Sequence, residues 1–349
     1  MGTELVEAIE DADRPTPSQP SFRGLRRWRS AHPWTWLIAT RLAGAVGLIV
    51  AVSFATFAAV SLLPGDIVAT VLGKSGSPER VALIREQLNL DRPMLIRYVN
   101  WLGAALHGDF GRSIASGAPV SELVWPRLRN TLILGLVTAA VTFPLAILVG
   151  SWAGARAGSR GDRISSTLGL VFMTLPEFAA GTLLVYLFGV RLRLLPVVSA
   201  FDPDIGPLSE PATLVLPALS LALISFGFAM RYVRSSVAES MRSDCVRMAR
   251  LNGFPERQVL FRYGLRNALA PIIQVSSLTF LGLLAGVVVT ETVFSYPGLG
   301  ALIVTTSLNR DFTTLVAAST VIAALYAIMN IANDVALLYA NPRLRKTTR

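Results

Sequence analysis

The sequence predicts an all-α, polytopic membrane protein with six transmembrane helices and both termini in the cytoplasm. Three observations lead there. Of 349 residues, 52% are hydrophobic and only 15% charged, with a mean hydropathy of +0.54; a typical globular chain carries about 25% charge. The charges are clustered, which leaves long stretches almost free of them. The basic residues also fall unevenly between alternate connecting segments. A soluble enzyme, a disordered chain or a coiled coil would show none of these features. The net charge of +10 in so apolar a chain suits a membrane surface, not nucleic acid.

A span needs about 20 mainly apolar residues. Six stretches qualify: 42–63, 130–155, 164–190, 211–230, 267–290 and 312–333. Only the third contains a charge, Glu177. None alternates as a barrel strand does. Pro144, Pro176 and Pro217 fall inside spans, where bilayer helices tolerate them if neighbours satisfy the freed carbonyls. The first span begins too deep in the chain for a cleaved signal peptide, and no small-residue cleavage pattern follows it. It is expected to be retained.

Orientation follows from the lysines and arginines. With the N-terminus inside, segments 1–41, 156–163, 231–266 and 343–349 carry 21 basic and 9 acidic residues. The outside segments 64–129, 191–210 and 310–311 carry 11 and 10. The bias favours cytoplasmic termini.

Residues 1–20 are acidic, then rich in Pro and Ser, a composition that cannot bury a core; the extension 1–35 is expected to be largely disordered. Arg23, Arg26, Arg27 and Arg29 beside Trp28, Trp34 and Trp36 suit an interfacial anchor on the bilayer. In the outside segment 64–129, a helical pattern runs from Pro78 to Leu88, and Gly103, Gly108, Gly111 and Gly117 then break the chain into turns. This segment is too short for an enzyme domain and is expected to pack over the helix ends. Glycines four apart, at 150, 154 and 158 and at 282 and 286, allow close helix approach.

The 231–266 loop holds eight arginines. Val237, Met241, Cys245 and Met248 recur at helical spacing and predict one continuous apolar face. Ser243 or Asp244 could cap a shorter helix. Leu251-Asn252-Gly253 reads as its end, with Gly253 at positive φ. Pro255-Glu256 starts another helix, proline in the first turn and an acid near the positive dipole end. A simple tether would not need a helix, a sharp turn and a helix. An amphipathic hairpin lying on lipid is the plainer alternative.

Catalytic chemistry finds no support. Cys245 is the one cysteine, and His32 and His107 are the two histidines. They form neither a disulfide framework nor a metal centre. Gly73-Lys74-Ser75 resembles the end of a phosphate-binding loop, but position 68 is Val68, where that loop needs glycine. Any ATP that powers this chain is hydrolysed elsewhere. Three acids lie at membrane depth, and burial of each is costly. Glu177 is a candidate for a translocation path or gate. Glu291 shares that candidacy, although its place near the interface favours a structural role, as it does for Asp334.

The run Val246-Arg247-Met248-Ala249-Arg250-Leu251-Asn252-Gly253 continues through Pro255 to Arg257-Gln258-Val259-Leu260, Leu265-Arg266-Asn267-Ala268-Leu269 and Pro271. It resembles the coupling loop of binding-protein-dependent ABC importer permeases, in the dipeptide/oligopeptide/nickel branch. Arg247-Met248-Ala249 stands where the wider superfamily has Glu-Ala-Ala, and Leu265-Arg266 where it has Leu-Pro; the peptide branch commonly shares that departure. Other agreeing stretches are Pro64-Gly65-Asp66, Leu90-Asp91-Arg92-Pro93 with Tyr98 and Trp101, Gly108-Asp109-Phe110-Gly111, Glu291-Thr292-Val293-Phe294, Tyr296-Pro297-Gly298-Leu299-Gly300 and Asn341-Pro342-Arg343. The likeness covers roughly 36–345, leaving a short tail at 346–349, and is nearest to the first of the two permeases in such systems.

That resemblance implies an ABC type I permease fold in the bacterial inner membrane. It implies a second homologous permease, two cytoplasmic ATPases holding ATP and Mg, and an extracytoplasmic binding protein that delivers the cargo. This chain would carry no cofactor and no catalytic residue. Val246, Arg247, Met248, Ala249, Arg250, Gly253 and Pro255 would form the ATPase-coupling element. Peptides are the expected cargo, with nickel chelates, glutathione or haem-like ligands as alternatives within the branch. A secondary transporter working alone is the competing reading, and would want paired inverted repeats and charged, broken helices.

Overall fold

The computed structural model describes residues 33–62 and 92–340. The extension, the Trp28 anchor, the 78–88 helix and the tail from Asn341 lie outside the described residues. What is described is helical, with no β-strand among the described residues. The helices are α1 (Pro33–Ser61), α2 (Met94–Leu106), α3 (Val120–Ala155), α4 (Arg160–Thr174), α5 (Glu177–Leu184), α6 (Ala212–Ser240), α7 (Asp244–Leu251), α8 (Leu265–Val293), α9 (Leu299–Leu308) and α10 (Phe312–Ala340). A π-helical stretch, Val185–Arg191, continues α5, and another, Val259–Gly264, leads into α8.

Five helical segments are long and apolar enough to cross a bilayer: Ala39–Ser61, Val120–Ala155, Ala212–Ser240, Glu256–Val293 and Phe312–Ala336. The sixth expected span is not one continuous helix. It is the pair α4 and α5, bent by 103°. The bend falls at Leu175-Pro176, where both residues are extended, with ψ of 128° and 136°. Proline has no N–H for the helix ladder and pushes the residue before it out of the α region. Pro144 and Pro217, by contrast, stay inside α3 and α6.

α6 is the hub. It packs on α3, α4, α5 and α8, and 61% of its most apolar window is buried within the chain, against 6% for α1. The closest seam is α3 on α6. A Cβ on Gly150 would stand 2.7 Å from the Met230 carbonyl, and one on Gly154 2.6 Å from that of Arg234. Two other glycines expected to pack do not. Gly158 lies past the end of α3, and Gly282 faces open space.

α2 docks on α1 through Tyr98, whose hydroxyl lies 2.8 Å from Ser53 Oγ, with Phe54 and Phe57 against its ring. The loop beyond α2 buries Phe110 among Val120, Val124, Leu299 and Leu302. Asp311, before the first turn of α10, accepts from Ser113 Oγ at 2.5 Å, Ile114 N–H at 3.1 Å and Thr314 Oγ1 at 2.7 Å. It thereby fastens that loop to α10.

Candidate functional site: the α6–α8 wedge and the membrane acids

α6 ends at Ser240, and the chain turns through Met241, Arg242 and Ser243 before α7 begins at Asp244. That turn resets the helical phase. Val237 and Met241 are buried as expected, but Cys245 and Met248 are exposed, so the predicted continuous face does not exist. Val246 and Ala249, three residues apart, take its place. They pack against Val233, Val237, Met241, Val259, Ala268 and Ile272. Ser243 sits at the N-cap without a capping bond from its hydroxyl, and Asp244 places a carboxylate in the first turn.

α7 ends in a Schellman motif. Gly253 has φ +77°, its N–H donates to the Arg250 carbonyl at 3.0 Å, and the Phe254 N–H donates to that of Ala249 at 3.3 Å. Pro255 then caps the next helical turn, which starts at Glu256. Arg250 reaches across with Nε 2.8 Å and Nη2 3.2 Å from the two Glu256 oxygens, an exposed pair that orients more than it stabilises. At the base, Ser240 Oγ donates to the Gly264 carbonyl at 2.7 Å. The result is a wedge with a packed inner side and an outer side of Arg247, Met248, Arg250 and Leu251.

Behind the wedge lies an ion pair that sequence reasoning missed. Arg234 of α6 donates from Nε and Nη2 to Asp162 at 2.7 and 2.6 Å. Asp162 also accepts from Gly158 N–H at 2.7 Å, and its own N–H donates to Ser159 Oγ at 3.2 Å. A Ser three residues before an acid is the signal of a helix start. It marks Ser159-Arg160-Gly161-Asp162, but not the distant arginine.

The three membrane acids occupy different settings. Glu291 is fully buried. It accepts from Thr131 Oγ1 at 2.6 Å and from Ala301 N–H at 3.0 Å, which caps the N-terminus of α9. Thr131 Oγ1 in turn accepts from Leu299 N–H at 2.8 Å. Tyr296 OH donates to the Asn130 carbonyl at 2.8 Å beside this cluster. Glu177 opens α5 at the bend, half-buried, its carboxylate lying over Gly286 of α8. It has no hydrogen-bond or ion-pair partner among the described residues. Asp334 of α10 pairs with Arg41 of α1 at 3.0 Å. No group of His, Cys, Asp and Glu among the described residues could hold a metal ion.

Two family models match the chain. The model of the binding-protein-dependent transport system inner membrane component matches residues 146–346, and the one for the N-terminal part of such membrane components matches 35–135. Among known proteins, the chain is 32% identical over 308 residues to a probable peptide ABC transporter permease of Sinorhizobium fredii, covering 88% of this chain and 98% of that one. It is 32% identical over 303 residues to an oligopeptide transport system permease of Bacillus subtilis (86% and 96%). It is 32% identical over 332 residues to the dipeptide transport system permease of Escherichia coli (88% and 98%). These matches run through the broken span, the wedge and the capped α9 alike. With five apolar spanning helices and a sixth broken pair, the chain belongs to the family of inner membrane components of binding-protein-dependent transport systems.

Proposed function

We propose that this chain forms half of the pore of an ATP-driven importer in the bacterial inner membrane, taking peptide-type substrates from an extracytoplasmic binding protein. A second homologous permease completes the pore. Two cytoplasmic ABC ATPases bind ATP and Mg and engage the 231–266 loop. The peptide class rests on the names of the three relatives given above, each a peptide permease.

The observation that carries the reading is the wedge. A helix transmits force only if its base is packed and its outer side is free. Val246 and Ala249 are buried while Arg247, Met248 and Arg250 are exposed. Because α7 follows α6 after three residues and α6 is the hub of the bundle, displacement of α7 reaches the pore as rigid-body motion. Glu177, at the bend and without a partner among the described residues, supplies a charge to the pathway in this reading. The test is reconstitution of the chain with its second permease, the ATPases and the binding protein in proteoliposomes. Peptide uptake should require ATP and should be lost in Met248→Asp with insertion intact. Uptake by the two permeases without ATPases would refute the reading.

A further inference from the structure

Where the chain enters α8, one helix face turns away from the wedge, with Leu265 at its edge half-buried against the wedge core. Val259, Gly264 and Ala268 point inward and are buried, which fixes the opposite face outward. That face forms a shallow, open groove lined by Phe261, Arg262, Leu265, Arg266 and Leu269. Phe261 is 61% and Leu269 49% exposed. Arg262 and Arg266 lie four residues apart and make no ion pair or hydrogen bond among the described residues, whereas Arg41, Arg234 and Arg250 are each paired. Arg266 directly precedes the uncharged stretch 267–290, which puts both guanidinium groups at headgroup depth and Leu269 in the hydrocarbon.

We propose that this groove binds one anionic phospholipid, its phosphate held between Arg262 and Arg266 and an acyl chain lying along Leu265 and Leu269. The charge of the two arginines selects the occupant. Guanidinium forks match phosphate oxygens, and basic pockets at the ends of spans hold anionic headgroups. The apolar lining separates a lipid from a free phosphate, which would leave Leu269 without a partner. Phe261 sits where aromatic rings favour the interface. The inference rests on the import reading only in that the ATPases hold the loop at α7 and leave the face of 261–269 to the bilayer.

The full chain, in its assembled complex, is placed in nanodiscs of phosphatidylcholine with a minor fraction of phosphatidylglycerol, and retained lipid is read by native mass spectrometry. The chain should retain one phosphatidylglycerol. The variant Arg262→Gln/Arg266→Gln should retain it roughly thirty-fold less, two basic residues each contributing about fivefold at a membrane surface. Arg262→Lys/Arg266→Lys, which keeps the charge and loses the forked donors, should bind between the chain and the Gln variant. Both sites are exposed, and unchanged thermal unfolding would show that the variants fold. Equal retention by the chain and the Gln variant, or equal retention of phosphatidylcholine, would overturn the proposal. So would displacement of the lipid by millimolar inorganic phosphate. A Leu269→Cys variant in a Cys245→Ser background that cross-links to another subunit would assign the groove to a protein interface and overturn it as well.

Discussion

Arg234 grips both carboxylate oxygens of Asp162, at 2.7 and 2.6 Å, and so fixes the first turn of α4 to α6. Asp162 is 3% exposed and Arg234 32%. The pair therefore lies between a surface bridge and a buried one, and its loss should be felt most by whichever charge stays behind. Asp162→Ala or Arg234→Ala alone should destabilise the detergent-solubilised chain by roughly 2–4 kcal/mol. The double variant should cost much less than the sum, as judged by thermal unfolding of all three. Additive losses would mean that the two side chains act independently.

Gly253 is held at φ +77°, and a Cβ there would meet nothing within 4 Å. The cost of replacing it is therefore conformational alone, roughly 1–2 kcal/mol for a residue forced into the left-handed region. Gly253→Val should insert normally yet uncouple ATP hydrolysis from uptake, while Gly253→Asn, which tolerates that region, should be milder. Normal uptake and normal substrate-stimulated hydrolysis in Gly253→Val would show that the turn does not set the angle of α7.

Glu291 bonds Thr131 Oγ1 with one oxygen and the Ala301 N–H with the other. Glutamine can keep its oxygen on the Ala301 N–H only by turning its amide towards Thr131 Oγ1, which must then accept where it had donated. Glu291→Gln should thus destabilise by about 1–3 kcal/mol, the scale of a hydrogen bond to a charged group. Glu291→Ala, which also opens a void, should cost more. Unfolding curves in detergent give the order; a reversed order would argue against the cap.

Glu177 lies over Gly286 with no hydrogen-bond or ion-pair partner among the described residues. Glu177→Gln should leave the unfolding temperature unchanged and shift the ratio of cationic to anionic peptide uptake roughly tenfold, the equivalent of about 1.4 kcal/mol. An unchanged ratio in proteoliposomes would remove Glu177 from the pathway.

The spans could be read from the sequence because five are uncharged runs and the third carries a single charge, Glu177, each with a length that matches the bilayer, and Gly253 because a helix end with glycine has few other solutions. Pro176 in mid-span allows the bend to be anticipated, but not its size: Pro144, Pro176 and Pro217 look alike in sequence, and only neighbours decide which one breaks its helix. The face through Cys245 and Met248 failed because a three-residue turn after Ser240 shifts the helical phase without any glycine or proline to announce it. Glu291 and Asp162 were visible as acids, but their partners, Thr131 and Arg234, lie far along the chain, and only tertiary packing joins them.

The bond between Arg41 and Asp334 has a consequence for biogenesis. Among the described helices α1 emerges from the ribosome before the others and buries little of itself against its own chain; the helix it packs on most is α10, the last of them. During synthesis α1 therefore waits in the lipid with Arg41 lacking its counter-ion, and the bundle closes only when the final helix arrives.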